Sequence, residues 1–300
     1  MADHAVAPGA IEWLGEAEGG VELLGGKAAS IDRLARLGAP TPPGFCVTTL
    51  AFRRQLLDGP DGAIAARALA SLPDEDARAT LVSLATATRF RPEIDSALAA
   101  ALDRLDALAP SRSGPSQLAV RSSAVGEDGA VSSFAGMHDT ELGVGREGVG
   151  PAVRRCWASL WSARAVGYRR LRNLPLDGGA MAVVVQALVP ATAAAVLFTR
   201  HPVTGRTDRL LVNAVAGLGD SIVSGDVTPD MYVIDRASRA IEEQEIADPG
   251  IGRALTDAQL RELADLSLNI EERFGAPVDL EAAYADGRWY LLQARPITTH

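Results

Sequence analysis

A chain of 300 residues with 47% apolar and 22% charged side chains has ordinary globular composition, which excludes a disordered or fibrous polymer. That length suits about two domains, or one large domain of two lobes. A net charge of -9 and a pI near 5.0 argue against a nucleic-acid partner, because neutralising a phosphate backbone needs a broad basic surface. A local basic pocket for a small phosphate is compatible with the same totals.

The N-terminus has neither the basic start nor the apolar run of a signal peptide. Residues 10–24 read as a weak strand region ending in Val21-Glu22-Leu23-Leu24. Gly25-Gly26-Lys27 follows, and then Ile31, Leu34, Ala35 and Leu37 at helical spacing, with Gly38 as the C-terminal stop. Gly-Gly-Lys at a helix start can present backbone N–H groups and an ammonium to a phosphate. It is not a Walker A loop: Val21 stands where the first glycine belongs and Ala28 where the Ser/Thr belongs. Residues 50–110, rich in Ala and Leu, predict three helices broken near Asp58-Gly59-Pro60 and Pro73-Asp74. Residues 110–116 read as a loop. Leu118-Ala119-Val120 predicts a short strand that delivers Arg121-Ser122-Ser123-Ala124. The small residues from Gly126 to Gly136 make a loop able to lie close over phosphates.

Val153 to Leu171 predicts one long helix. Trp157, Trp161 and Tyr168 are explained by packing, and the arginines from Arg154 to Arg172 mostly by a solvated face. Met181 to Thr199 carries no charge, yet Gln186 and Pro190 interrupt it, so two buried strands fit better than a membrane span. Val196–Pro202, Asp208–Ala214 and Met231–Asp235 read as strands of one sheet, and Leu260 to Phe274 as a last helix closed by Gly275. The two cysteines, Cys46 and Cys156, lie far apart without metal-type spacing and read as reduced core residues of a cytosolic protein.

The end of the chain, Val278 to Pro296, shows two alternating runs around Asp286-Gly287 and predicts a β-hairpin. Its register decides its chemistry, because a one-residue slip moves every side chain to the other face. A two-residue Asp286-Gly287 turn pairs Tyr284 with Trp289 and sends Glu281 and Gln293 to opposite faces. A three-residue Ala285-Asp286-Gly287 loop, with Gly287 left-handed, sets Glu281 opposite Leu291 and gathers Asp279, Glu281, Gln293 and Arg295 on one surface. Only there do two oxygen-tipped side chains converge on a cation beside a guanidinium that holds phosphate. A solvated polar edge is the plain alternative.

Asp-Leu-Glu, Asp-Gly and Leu-Leu-Gln-Ala-Arg-Pro-Ile resemble the close of the nucleotide-binding domain in the family of phosphoenolpyruvate synthase, pyruvate phosphate dikinase and rifampicin phosphotransferase. The Gly-Gly-Lys helix with Thr41-Pro42-Pro43-Gly44-Phe45 is similar to that domain's start. Arg121-Ser122-Ser123-Ala124, the following Gly-Glu-Asp and Ser-Phe-Ala-Gly are similar to its middle, and Gly217 to Asp230 to a further loop. The resemblance covers about residues 10–298. It implies an α+β ATP-grasp fold of two lobes, residues 1–182 and 183–300, with ATP held between them. Lys27, Arg121 and Arg295 would meet the ATP phosphates. Gly136 and Thr140 would form a lid, Gln186 and Leu188 lie on the adenine strand, and Glu281 and Gln293 would hold Mg²⁺.

The sequence departs from the family at several positions. Met137 replaces a usual Gln, Asp220 a usual Glu, and Thr192, Ala194 and Ala195 stand where a Glu and a Ser-Gly pair are usual. The implied activity is transfer of the β-phosphoryl group of ATP to a histidine, giving AMP and Pi. None of the four histidines, His4, His138, His201 and His300, reads as that carrier. The expected partners are therefore a separate, swivelling phosphohistidine domain or protein and a small-molecule acceptor. A non-catalytic nucleotide-binding module and an autonomous ATP-grasp ligase are the alternatives.

Overall fold

The computed structural model describes residues 9–87, 89–108, 117–126, 128–129, 132–133, 140–176, 179–202, 204–219, 227–250 and 252–297. The protein is α+β and divides into two compact units, Met1–Asp32 with Pro43–Leu188, and Arg33–Pro42 with Val189–His300.

The first unit is built on a five-stranded sheet in the order β1 (Ile11–Trp13), β2 (Gly44–Val47), β7 (Met181–Ala187), β3 (Leu118–Ala124), β6 (Thr140–Val144), antiparallel throughout. β4 (Asp128–Gly129) and β5 (Ser132–Ser133) form a separate two-residue ribbon. Alternation along the strands divides the sheet's side chains between two faces. Phe45, Val47, Val120, Val183 and Val185 enter the main core with Phe52, Leu81, Ile94 and Trp157. Cys46, Ala182 and Val184 face the other way and receive Leu24, Ala28 and Ile31 of α1 (Val21–Arg36).

The expected strand at Val21–Leu24 is therefore a helical turn. Leu24, Ala28 and Ile31 recur at the i, i+4, i+7 spacing of one helix face, and four residues alone could not reveal it. Four helices fill the stretch where three were expected: α2 (Thr49–Leu56), α3 (Gly62–Ala70), α4 (Glu75–Ala87) and α5 (Pro92–Leu108). The overlooked break precedes Pro92, which is tolerated only at a helix start and restrains Arg91 before it. The long helix expected from Val153 to Leu171 is two, α6 (Val149–Ser159) and α7 (Ala163–Leu171). Ser162 starts the second by accepting a hydrogen bond from the Ala165 N–H at 3.1 Å. The loop expected at 110–116 lies outside the described residues.

The second unit holds a six-stranded antiparallel sheet in the order β11 (Ile241–Glu245), β10 (Asp230–Asp235), β9 (Arg209–Ala216), β8 (Ala193–Phe198), β12 (Val278–Ala285), β13 (Arg288–Pro296). One face, with Leu197, Leu210, Val212, Tyr232, Leu280 and Leu291, packs on Leu260, Leu263, Ala264 and Ile270 of α8 (Asp257–Phe274). Thr256 and Gln259 form a capping box at the start of α8, and Gly275 closes it at φ 69°. The opposite face of this sheet, including Val196, Asn213, Met231 and Glu281, is half-buried.

The compact units part after Leu188, whereas the lobes implied by the sequence part at 182/183. The reason is pairing: β7 is hydrogen-bonded to β2 on one side and β3 on the other. Both cysteines are buried and neither forms a disulfide, and burial pushes the Cys46 thiol far up, so it stays protonated. Among the described residues no helix is long and apolar enough to cross a membrane.

Candidate functional site

In the first unit the candidate residues sit on the sheet face that carries α1. Gly25 breaks α1 with φ 71° and ψ 172°, a conformation that an L side chain rarely adopts. A Cβ at Gly25 would lie 2.0 Å from the Ser123 carbonyl oxygen, so α1 approaches β3 this closely only because residue 25 is glycine. Two residues on, Lys27 is 7% exposed, and its Nζ donates to the Ser122 carbonyl at 3.0 Å.

Strand register gathers more of the set. Arg121 pairs with Thr140 on one side and Val184 on the other, and Gln186 pairs with Ala119 two residues along. Arg121, Thr140 and Gln186 thus share the face occupied by α1. Gln186 is 2% exposed and lies across from Gly44, where a Cβ would come within 2.5 Å of its Cγ. The Leu188 N–H is engaged, donating to the Gln117 carbonyl at 3.0 Å. Gly136 and His138 lie outside the described residues, as do His4, His300 and residues 220–226 of the Gly217–Asp230 loop. His201 accepts from the Thr204 N–H at 3.2 Å within its own turn.

In the second unit the hairpin answers its register question in an unexpected way. The turn is the two-residue Asp286-Gly287, with φ 52° and 75°, and Tyr284 pairs with Trp289. The three-residue loop and the Glu281–Leu291 pairing are overturned. The two-residue turn alone would have put Glu281 opposite Leu292. A bulge supplies the missing step: Ala282 pairs with Leu291, Leu292 is the extra residue, and Glu281 pairs with Gln293. Asp279 pairs with Arg295, so all four polar side chains share the half-buried face after all.

Gln293 is 1% exposed, and with its amide turned so that the oxygen faces Arg295, that oxygen accepts from Nε and Nη2, both at 2.6 Å. Among the described residues no group of three His, Cys, Asp or Glu side chains is placed to hold a metal. A carboxylate across from an amide oxygen is nevertheless the sparse oxygen set that Mg²⁺ accepts when substrate phosphates complete its shell. The oxygens of Glu281 and Gln293 suit that ion, and the Arg295 fork, which contacts the Gln293 oxygen here, would have to turn away from it to take a phosphate.

The amino-acid sequence matches the family described as pyruvate phosphate dikinase, AMP/ATP-binding domain, over residues 21–254 and 251–300. The chain belongs to that family. A probable phosphoenolpyruvate synthase of Methanothermobacter thermautotrophicus is 36% identical over 93% of this chain and 44% of its own length. The prodigiosin synthesizing transferase PigC of Serratia marcescens is 38% identical over 92% of this chain and 32% of its own. The rifampicin phosphotransferase of Streptomyces sviceus is 38% identical over 94% and 35%. The chain thus spans less than half the length of these curated relatives.

For this family member, two residues that reasoning from the sequence passed over are structurally decisive. Leu292 creates the bulge, and no local pattern marks it. Ser123 lies in a run singled out for its arginine, and its partner is 95 residues away in sequence.

Proposed function

We propose that this chain binds Mg-ATP and is the ATP-using part of a dikinase-type phosphotransferase, with an ATP-grasp arrangement in which both residue sets serve one nucleotide. The observation that supports the reading is the shared face of Glu281, Gln293 and Arg295, on which the oxygens that would hold the metal stand beside the guanidinium that would take phosphate. Lys27 and Arg121 would add cations to the polyphosphate, with Gly136 and Thr140 above it. Gln186 and the Leu188 carbonyl would meet the base. Mg²⁺ on Glu281 and Gln293 would neutralise phosphate charge. Phosphoryl transfer depends mostly on such positioning and neutralisation.

In the reaction proposed, the β-phosphoryl group passes to a histidine of a separate swivelling domain or chain. Water takes the γ-phosphoryl group as Pi, and AMP remains. The histidine would then phosphorylate a small molecule, in keeping with relatives named phosphoenolpyruvate synthase and rifampicin phosphotransferase. A cytoplasmic setting, where ATP is abundant, fits this role.

One observation favours the second reading, a nucleotide-binding module without turnover. The Thr192 hydroxyl and N–H both donate to the Tyr284 carbonyl, at 3.1 and 2.9 Å, and Ala194 is a buried methyl, so these positions offer no carboxylate to a ribose. The test is calorimetric titration with Mg-ATP, followed by product analysis after a histidine-bearing domain is added. The unmodified chain is expected to bind ATP, and Lys27→Ala or Arg121→Ala to weaken it about tenfold or more, since a charge-assisted contact contributes roughly 1.5–3 kcal/mol. AMP should form only with the added domain. Absence of ATP binding sinks the reading, and ADP as the product favours a ligase.

A further inference from the structure

We infer that Ser123 is a positioning residue for Lys27, acting by inserting its hydroxyl into the hydrogen-bond ladder of α1; the inference rests on the phosphate role proposed for Lys27. In an unbroken helix the Ala28 N–H bonds the Leu24 carbonyl, four residues back. Here Ser123 Oγ stands between the two, accepting from the Ala28 N–H at 2.9 Å and donating to the Leu24 carbonyl at 2.8 Å. A hydroxyl carries one proton and two lone pairs, so it meets both demands at once. The helix opens at Gly25 without leaving either group unsatisfied.

The insertion straddles Lys27. Ser123 grips α1 at Leu24 and Ala28, and the carbonyl of the preceding residue, Ser122, accepts from the Lys27 ammonium at 3.0 Å. Two consecutive residues of β3 therefore fix both the backbone that carries Lys27 and the end of its side chain. An ammonium has three protons, so the Ser122 contact is compatible with donation to phosphate. Ser123 is wholly buried, which keeps water from taking the place of its hydroxyl. Without that hydroxyl, Ala28 and Leu24 would have to pair directly or remain unpaired, and closing the ladder moves the turn that bears Lys27.

The neighbouring hydroxyl makes no comparable contact. Ser122 Oγ points to the opposite face of β3, is equally buried, and has no hydrogen-bond partner among the described residues.

The experiment compares Mg-ATP with AMP, which lacks the β- and γ-phosphates, in calorimetric titrations of the full chain. Ser123→Ala is expected to lower ATP affinity about tenfold and AMP affinity less than about twofold. In a Lys27→Ala background it should add little, because the two residues act as a unit. Unchanged ATP affinity in folded Ser123→Ala, equal losses for ATP and AMP, or a full additional loss in the Lys27→Ala background would each overturn the inference. If circular dichroism finds the alanine variant unfolded, Ser123→Cys, close in volume but a poor hydrogen-bonding group, carries the same comparison. A failure of the unmodified chain to bind ATP defeats the proposed function instead. In that case amide hydrogen exchange at Ala28, which needs no nucleotide, still judges the insertion: faster exchange in the Ser123 variant supports it and an unchanged rate refutes it.

Discussion

The two units place their candidate residues by opposite means. In the first, Lys27 is held by contacts across the chain: a glycine break in α1, a serine hydroxyl in the gap and a carbonyl on the ammonium. In the second, Glu281, Gln293 and Arg295 are placed by strand register, with one bulge residue correcting the count. A contact-built device should fail when a single atom is added where there is no room. A register-built device should withstand large edits that preserve the alternation of faces.

The largest expected effect comes from adding one methyl group to the first device. Gly25→Ala combines a Cβ clash with the Ser123 carbonyl and a positive φ. It should cost about 2–5 kcal/mol of stability by the combined scale of overpacking and backbone strain. Urea unfolding measures it, and a midpoint close to the parent's would mean that α1 is not clamped at this point.

Removing chemistry from the second device without touching its register comes next. Glu281→Ala should weaken Mg-ATP binding about tenfold or more while leaving the thermal midpoint within about a degree or two, since the half-buried carboxylate lies off the core face. The loss should shrink when titrations are run without Mg²⁺. An equal loss with and without the ion would place the metal elsewhere.

Deleting Leu292 sharpens the comparison further, since it removes a whole residue yet should do less damage than the methyl at position 25. With Leu292 gone, Gln293 follows Leu291 directly and still falls opposite Glu281. The expected costs are about 1–2 kcal/mol from lost apolar contact with neighbours such as Val189 and Ala283 and a change in Mg-ATP affinity of less than about threefold. Collapse of binding in the deletion variant would show that the bulge does more than count residues.

The smallest effect belongs to Ser122→Ala. Its hydroxyl is buried among apolar side chains with no partner among the described residues, so the substitution should be neutral or stabilising by up to about 1 kcal/mol. Thermal unfolding tests this beside Ser123→Ala, which removes a doubly bonded hydroxyl and should be destabilising. Equal shifts in the two variants would erase the distinction between the two faces of β3.

Much was legible in the sequence because it was written locally. The hairpin followed from alternation around Asp286-Gly287. The last helix followed from its apolar spacing and the Gly275 stop, and Lys27, Arg121, Glu281, Gln293 and Arg295 stood out through motif resemblance. Helix breaks were less legible where the punctuation was a lone Ser162 or Pro92 inside an otherwise helical composition. Val21–Leu24 reads as a strand but folds as a helical turn, because four residues carry too little periodicity to tell the two apart.

What the sequence by itself determined was the set of chemical groups, their order and the secondary structure that carries them, since propensity, periodicity and turn residues act over a few positions. Tertiary structure alone decided how those groups are aimed. The Leu292 bulge depends on β12 and β13 keeping Leu280 and Leu291 in one core while Glu281 meets Gln293. The opening of α1 depends on a hydroxyl 95 residues away reaching the gap between Leu24 and Ala28. Both are settled by the free energy of burying apolar side chains while satisfying every backbone group, a condition on the whole fold that no local stretch of sequence contains.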